Sequence, residues 1–213
     1  QIPASAGNDV VIVFTRNPEL GKVKTRLAVK VGKQAALKVY QLLLQHTESI
    51  LNTLKCDIAV YYSNQITNND IWNKPNYHKF AQEGEDLGQR MQNAFKQQFE
   101  LNYQNVVIIG SDLFDLKPQH IQQAFEALQQ NDVVIGPAKD GGYYLLGMKN
   151  HIPNVFQNKN WGTNTVFHDT IKDLKPYKTE ILEPLNDIDT FEDLEAYPTI
   201  INQINKKINE ELY

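Results

Sequence analysis

The residues of this sequence best suited to chemistry begin with a basic turn at residues 15–27, Thr-Arg-Asn-Pro-Glu-Leu-Gly-Lys-Val-Lys-Thr-Arg-Leu. It crowds four cations, Arg16, Lys22, Lys24 and Arg26, between a predicted strand and a helix. A solvated loop could carry these charges at little cost. Because the start of a helix after a parallel strand is a natural phosphate site, we instead predict a phosphate-binding turn.

Within this turn, Lys24 and Arg26 are predicted to neutralise phosphate oxygens and stabilise charge on a leaving group, with Lys24 as a catalytic residue. Backbone N–H groups around Gly21 would complete the phosphate cradle. The segment lacks the Gly-x-x-x-x-Gly-Lys-Ser/Thr pattern, which argues against a P-loop NTPase. The predicted nucleotide- and phosphate-binding residues are Thr15, Arg16, Gly21, Lys22, Lys24, Thr25, Arg26 and Arg90, the last of which could also be a solvated helix residue.

Three aspartates are candidate ligands for Mg²⁺ or Mn²⁺. Asp112 follows the third predicted strand, at the sheet edge where open α/β folds bind ligands, and is also a predicted catalytic residue. Since Mg²⁺ prefers one or two carboxylates with phosphate oxygens and water, we expect a second ligand from Asp187 or Asp189. A turn or helix cap is the alternative role for either of these two aspartates.

A second candidate segment, residues 136–147, follows the fourth predicted strand and reads Gly-Pro-Ala-Lys-Asp-Gly-Gly-Tyr-Tyr-Leu-Leu-Gly. The paired glycines let backbone approach a ligand closely, and Asp140 could accept hydrogen bonds from a sugar or acceptor hydroxyl. A tight turn between two strands explains Asp-Gly-Gly equally well. The predicted substrate-binding residues are Asp140, Gly141, Gly142, Tyr143 and Trp161, although Trp161 could be a core residue.

Alternating strands and helices must position these residues. Short β-branched runs at residues 10–14, 58–62, 106–109 and 133–135 are typical of buried strands. Apolar residues at three- and four-residue steps predict helices over the intervening stretches, which are residues 37–54, 87–98 and 118–128. The alternation indicates an α/β fold with a mainly parallel sheet and helices on both faces.

Two further segments have readable patterns. Residues 63–79 are rich in Asn and interrupted by Pro75, which predicts a long polar connection without a strand or helix. Thr190 and Asp193 predict a capping box for a helix that stops near Pro198. An amphipathic terminal helix is predicted from Ile200, Ile201, Ile204, Ile208 and Leu212.

Composition narrows the class of protein. With 213 residues, 41% of them hydrophobic, the chain can bury a large core, and we predict one domain at residues 9–213 after a leader at residues 1–8. A net charge of −4 argues against nucleic acid as a general partner. The single cysteine, Cys56, cannot form an internal disulfide, and no apolar run reaches the roughly 18 residues of a membrane span. We therefore expect a cytoplasmic protein without a membrane span.

Taken together, residues 14–27, 110–112, 136–147 and 187–194 resemble a bacterial family known as radical-SAM/selenodomain-associated transferase 1, or arsenosugar biosynthesis glycosyltransferase. The resemblance runs in order from about residue 10 to residue 194 and includes residues 87–91 and Trp161. It implies a GT-A-like, Rossmann-related three-layer α/β/α sandwich of the nucleotide-diphospho-sugar transferase superfamily. Several enzymes of that superfamily use Mg²⁺ held by aspartate.

Two shorter segments are similar to the 2-phospho-L-lactate guanylyltransferases. Residues 24–27 look like their Lys-Ser/Thr-Arg-Leu, and residues 189–194 look like their Asp-Thr-Pro-Glu-Asp-Leu, with Phe191 in place of proline. Residues 141–144, Gly-Gly-Tyr-Tyr, differ from the Gly-Thr-Asn-type segment of those enzymes. This difference argues against guanine and phospholactate specificity.

The function expected from the resemblance is Mg²⁺-dependent transfer of a sugar from an NDP-sugar donor to a small-molecule acceptor. Two alternatives stay open. One is a nucleotidyltransferase that joins an NTP to a phosphorylated small molecule and releases pyrophosphate, and the other is a non-catalytic nucleotide-binding module. The glycosyltransferase comes first because of the family resemblance, which is an argument from analogy.

Overall fold

A computed structural model describes the backbone of residues 8–211 and the side chains of residues 8–204. The predicted leader, except for Asn8, lies outside the described residues, as do Leu212 and the side chain of Ile208. The strands are β1 Asp9–Thr15, β2 Asp57–Tyr62, β3 Tyr77–Ala81, β4 Asn105–Gly110, β5 Val133–Pro137, β6 Tyr143–Met148 and β7 Thr179–Ile181. The α-helices are α1 Thr25–Val31, α2 Lys33–Leu51, α3 Leu87–Glu100, α4 Pro118–Gln130, α5 Val166–Asp173, α6 Phe191–Glu195 and α7 Pro198–Glu211, with a 3₁₀ helix at Pro153–Phe156.

The seven strands form one sheet in the order β3-β2-β1-β4-β6-β5-β7. Strand β6 is antiparallel to its neighbours β4 and β5, and the other pairings are parallel. The prediction of a mainly parallel sheet is therefore confirmed. Phe14 near the end of β1 pairs with Gly110 at the end of β4, so the loops that follow these two strands start side by side.

All four predicted strands are present, but residues 63–79 are not entirely a connection. Their last three residues open β3, which makes the prediction wrong at that end. The cause is the position of β3 at the edge of the sheet, where only Tyr77 of its five residues is buried. An edge strand that contacts a neighbour on one side needs no continuous apolar run.

Helices cover both faces of the sheet. The first predicted helix begins at Lys33 and ends at Leu51, and α4 begins at Pro118 as expected. Helices α2 and α4 pack on one face through residues such as Leu44 and Ile121, whereas α3 packs on the other face through residues such as Phe95. The buried side chains on each face remove a large apolar area from water, which is the main source of stability for such a layered fold.

A third apolar cluster joins α1, α2, α6 and α7. Its buried members include Leu27, Leu43, Leu194 and Ile200, together with Ile188 in the segment that precedes α6. This cluster anchors the residues on both sides of Ile188 against the end of the basic turn. Across the described part of the chain, no helix combines the length and apolar character needed to cross a membrane.

Candidate active site

Most of the predicted functional residues meet at the carboxyl edge of the sheet, where β1 and β4 lie side by side. The chain leaves β1 toward β2 and β3 on one side, whereas β4 leads toward the other half of the sheet. Ligands of open α/β sheets bind at such a switch point, because loops from neighbouring strands diverge there and leave a crevice. The basic turn follows β1 and Asp112 follows β4 at this crevice.

Lys24 is the centre of the polar contacts in the crevice. Its side chain is 3% exposed, and its Nζ donates to Asp112 Oδ2 at 2.9 Å and to Asp189 Oδ1 at 3.4 Å. Burial alone would lower the pKa of Lys24, but the carboxylates of Asp112, Asp189 and Asp187 outweigh burial and raise it. Lys24 therefore remains charged and acts as a counterion between Asp112 and Asp189.

The backbone of Lys24 adopts an uncommon conformation. Its φ of 47° and ψ of 45° lie in the left-handed region, which non-glycine residues seldom occupy. Lys24 has this conformation at the N-terminal cap of α1, and its side chain is directed into the crevice. Observed strain of this kind is often found at functional sites.

Asp189 is held by a second set of contacts. Its Oδ2 accepts a hydrogen bond from Arg26 Nη1 at 2.9 Å, and its backbone N–H donates to Asp193 Oδ2 at 3.1 Å. Asp193 is part of the predicted capping box, which is confirmed because Thr190 N donates to Asp193 Oδ2 and Asp193 N donates to Thr190 Oγ1. The cap of α6 thus fixes the position of a carboxylate that faces Lys24.

Internal hydrogen bonds shape the basic turn. Arg16 Nη1 donates to the Lys22 carbonyl at 3.0 Å, and Tyr40 Oη contacts both the N–H and the carbonyl of Arg16 at 3.0 Å. The N–H of Lys22 donates to the Glu19 carbonyl. Since the turn uses its own groups in this way, Arg16 and Lys22 stabilise it as well as contributing charge.

A polar cavity of about 660 Å³ opens beside the turn. Thr15, Arg16, Lys22, Lys24, Thr25, Arg26, Arg90, Asp112 and Asp189 are the sequence-predicted residues that line it. Gly21 does not line this cavity. Thr15 Oγ1 is buried and has no hydrogen-bond partner in the described part of the chain, which is uncommon for a buried hydroxyl.

A smaller, mainly apolar cavity of about 270 Å³ adjoins the polar one. The sequence-predicted residues that line it are Asp112, Asp140, Gly142, Tyr143, Trp161 and Asp187, and Leu87, Met91 and Val166 are among its apolar walls. Among the described residues, no lysine, arginine or histidine lines this cavity. The two cavities share Phe14, Leu87, Gly110 and Asp112, so Asp112 lies at their boundary.

The Asp-Gly-Gly segment forms a tight turn between β5 and β6, as one of the two interpretations predicted. Gly142 N donates to Asp140 Oδ1 at 2.8 Å, and Phe167 N donates to the Gly141 carbonyl at 2.9 Å. Gly141 has φ +94°, and a Cβ built there would lie 2.3 Å from the Asn164 carbonyl oxygen. Gly141 is therefore required by the turn and its packing, whereas Asp140 and Gly142 face the apolar cavity.

The two later aspartates separate between the two cavities. Asp189 lines the polar cavity and Asp187 lines the apolar one. Burial raises the pKa of Asp187 to about 6, with further contributions from the negative charges of Asp140 and Asp112. This pKa shift reflects mainly the burial of Asp187, and the neighbouring carboxylates add to it.

Whether the aspartates suit a metal ion depends on how many of them converge on one point. In the region that the structure describes, no group of three or more His, Cys, Asp and Glu side chains has the arrangement of a metal site. Asp112 and Asp189 nevertheless both approach the Lys24 ammonium within 3.4 Å. A two-carboxylate set of this kind fits Mg²⁺, which takes its remaining ligands from phosphate oxygens and water.

The sequence interpretation missed six polar residues that line the larger cavity, which are Tyr40, Ser63, Gln82, Glu85, Asp86 and Ser111. Ser63 follows β2 and Gln82 follows β3, and both line the polar cavity. Gln82 Nε2 donates to the Tyr61 carbonyl at 3.0 Å, which ties the end of β3 to β2. The signal of Ser63 and Gln82 was position directly after a strand, but β3 was not recognised and so Gln82 was overlooked.

Comparison with known structures identifies the fold. The chain has a TM-score of 0.82 and 30% identity with a candidate nucleotide-diphospho-sugar transferase from Desulfovibrio desulfuricans G20, covering 93% of this chain and 98% of that one. A 4-diphosphocytidyl-2C-methyl-D-erythritol synthase from Anaerococcus prevotii DSM 20548 gives a TM-score of 0.59 at 13% identity, covering 94% and 96% of the respective chains. A cytidylyltransferase from Leptospira borgpetersenii serovar Hardjo-bovis (strain JB197) gives 0.59 at 13%, covering 95% and 96%. The fold is therefore the GT-A-like α/β fold of the nucleotide-diphospho-sugar transferases.

Sequence comparison identifies the family. No curated protein sequence matches the chain. The model of the DUF2064 family matches residues 46–163, more than half of the chain and a span that includes β4, the β5–β6 turn and Trp161. The chain thus belongs to DUF2064, a family described as uncharacterized proteins conserved in bacteria.

Proposed function

We propose that the protein is a Mg²⁺-dependent transferase that moves a sugar from an NDP-sugar donor to a small-molecule acceptor. The observation that carries this proposal is the pair of adjoining cavities of opposite character that meet at Asp112. Such a division fits a reaction between a charged donor and an uncharged acceptor. The sugar of the donor would lie near the boundary, where an acceptor in the apolar cavity reaches it.

The polar cavity offers more cations than carboxylates to a nucleoside diphosphate. Its cations are Arg16, Lys22, Lys24, Arg26 and Arg90, and its carboxylates are Glu85, Asp86, Asp112 and Asp189. Arginine and lysine side chains form charge-assisted hydrogen bonds with phosphate oxygens, which are stronger than hydrogen bonds between neutral groups. Lys24 lies beside Asp112 and would stabilise negative charge on the departing diphosphate from a position that is already fixed.

Asp112 and Asp189 would hold the metal ion, which could be Mg²⁺ or Mn²⁺. Their convergence on Lys24 supports this pair over Asp112 and Asp187, since Asp187 lines the other cavity. When bound, the ion would supply positive charge that favours departure of the diphosphate. The protein residues on the donor side would then bind and orient the phosphates.

Two similarities to other proteins also support sugar transfer. The structural neighbour from Desulfovibrio desulfuricans G20 is itself a candidate nucleotide-diphospho-sugar transferase. The resemblance of the basic turn and the Asp-Gly-Gly-Tyr-Tyr segment to the arsenosugar biosynthesis glycosyltransferases favours the same activity. The two cytidylyltransferase-type neighbours have 13% identity and support only the fold, so nucleotidyl transfer is the second candidate.

The test is a chromatographic assay for nucleoside diphosphate released from a panel of UDP-, GDP- and other NDP-sugars, with and without Mg²⁺. We expect Mg²⁺-dependent release from at least one donor and a loss of at least 100-fold in Asp112→Asn, as is typical when a preorganised electrostatic group is removed. Asp115→Asn is the matched control, because Asp115 is on the same loop, accepts a hydrogen bond from Tyr197 Oη at 2.8 Å and lines neither cavity.

Other outcomes of the same assay would contradict the proposal. Pyrophosphate released from an NTP and a phosphorylated acceptor would identify a nucleotidyltransferase. Nucleotide binding that is independent of Mg²⁺, with no turnover of any donor, would favour a non-catalytic binding module. If the Asp112→Asn variant hydrolysed an NDP-sugar as fast as the wild type, Asp112 would have no role in the mechanism.

A further inference from the structure

The charge around the apolar cavity has a consequence for the second substrate. Asp112, Asp140 and Asp187 line this cavity together with Leu87, Met91 and other apolar or aromatic side chains. Asp112 is already paired with Lys24 at 2.9 Å, whereas Asp140 lies in the exposed turn and accepts a hydrogen bond from Gly142. No cationic side chain of the described residues lines the cavity, and Lys24 offsets only part of the charge around Asp187 from outside it.

An anionic ligand would be poorly accommodated in this cavity. Phosphate and carboxylate groups lose hydration when they are buried, and they need cations or several hydrogen-bond donors in exchange. In the apolar cavity such a group would instead lie near two carboxylates that repel it. Lys24 lines the polar cavity and not this one, and its ammonium contacts Asp112 and Asp189.

The position of Asp140 and Asp187 favours a different kind of ligand. A hydroxyl or amino group can donate a hydrogen bond to a carboxylate, and an apolar body can fill the space near Trp161, Met91 and Leu87. Gly142 also lines the cavity without a side chain, which leaves room beside Asp140. Charge and shape therefore select for the same class of molecule.

We propose that the acceptor is a small molecule with an apolar body and a free hydroxyl or amino nucleophile, and that it carries no phosphate or carboxylate group. This inference rests on the proposed sugar transfer and names the acceptor class for that reaction. It distinguishes the protein from a nucleotidyltransferase, whose acceptor presents a phosphate.

The transfer step breaks two bonds and forms two. The acceptor O–H or N–H bond breaks, and its proton passes to the carboxylate of Asp140, which lines the cavity. The acceptor oxygen or nitrogen forms a bond with the anomeric carbon of the sugar. The bond between that carbon and the diphosphate oxygen breaks, and its electron pair leaves with the nucleoside diphosphate.

Binding can be measured separately from turnover, because one of the two tryptophans lines the cavity. The other, Trp72, is buried in the core beneath the opposite face of the sheet. In a Trp72→Phe protein, whose folding is checked by its melting temperature, fluorescence reports on Trp161 alone. The probes are 2-phenylethanol, 2-phenylethylamine and 2-phenylethyl phosphate, which share one apolar body and differ in charge.

We expect the alcohol and the amine to change Trp161 fluorescence at concentrations at least tenfold lower than the phosphate does. The double variant Asp140→Asn and Asp187→Asn should reduce this preference by about tenfold or more, since it removes two negative charges near the ligand. Asp169→Asn is the control, because Asp169 lies on α5 near Val166, pairs with Lys172 and does not line the cavity.

Tighter binding of the phosphate probe, or a preference unaffected by the double variant, would overturn the inference. Failure of all three probes to affect Trp161 up to their solubility would also overturn it. These results are distinguishable from failure of the proposed function, which is measured by release of nucleoside diphosphate from NDP-sugars. A protein that binds the alcohol but releases no diphosphate would refute the activity, and one that releases diphosphate but prefers the phosphate probe would refute the acceptor class.

Discussion

Replacing Lys24 with methionine tests the electrostatic centre of the site. At an effective dielectric constant of about 20, the contacts of 2.9 and 3.4 Å with Asp112 and Asp189 correspond to roughly 5 to 6 kcal/mol each. Burying the ammonium costs several kcal/mol, which offsets much of this attraction. The variant leaves Asp112 without its cation and Asp189 with Arg26 alone, but the two side chains are 43% and 40% exposed, so water screens them. We therefore expect Lys24→Met to lower the free energy of unfolding by about 2 kcal/mol, less than the loss for a fully buried pair.

Thermal denaturation at pH 7 measures this effect, and for a protein of this size about 2 kcal/mol corresponds to a fall in Tm of roughly 4 to 8 °C. Mg²⁺ should raise the Tm of the variant more than that of the wild type, because the ion can replace the missing charge. Lys22→Met is the control, since the Lys22 side chain is 65% exposed and pairs with Glu19 on the surface, where a change below about 0.5 kcal/mol is expected. A Lys24→Met protein as stable as the wild type, with an unchanged response to Mg²⁺, would refute the counterion role.

Two other substitutions give opposite changes in stability. Asp187→Asn should be more stable than the wild type at pH 7 by on the order of 1–3 kcal/mol, and the difference should vanish below about pH 4. The sign follows from the raised pKa of about 6, because the folded protein holds the Asp187 proton more tightly and loses stability as the pH rises from about 4 to 6. Urea denaturation at several pH values measures the difference in free energy of unfolding between the two proteins. A difference that does not depend on pH would contradict this prediction. Gly141→Ala should lower the free energy of unfolding by about 3 kcal/mol, because Gly141 has φ +94° and a Cβ there would lie 2.3 Å from the Asn164 carbonyl oxygen. Gly142→Ala should cost less than about 1 kcal/mol, because a Cβ there would lie 3.2 Å from its nearest neighbour, Asp140 Oδ1. If urea denaturation gave the same loss of free energy of unfolding for both alanine variants, the close packing of Gly141 would not be the cause of the loss.

The central part of the fold was predictable because its signals are local and strong. Fully buried strands such as β1 and β4 require continuous runs of apolar residues, and α4 begins with proline at a favourable helix position. The edge strands β3 and β7 lack such runs, since one side of each has no neighbouring strand. The length of β7, three residues, also leaves no periodicity to detect.

The location of the site was predictable, but the partners of individual residues were not. The rule that ligands bind at the carboxyl ends of strands brought Lys24 and Asp112 to one crevice. The pairing of Arg26 with Asp189, and the separation of Asp187 from Asp189, depend on how the irregular segment before α6 packs through Ile188. Such a segment has neither helical nor strand periodicity, so its sequence alone does not determine which cavity each aspartate lines.

The turn between β5 and β6 limits where variation in the site can occur. Its backbone is bonded to α5 at Phe167 and to the segment before Ile188 at Leu185, so insertion of even one residue would disrupt contacts with both neighbours. These hydrogen bonds hold the wall formed by Asp140 rigid, so this wall does not close over a ligand. Engineering of new acceptors would have to exchange side chains at positions such as Met91 or Val166 and leave the length of this turn unchanged.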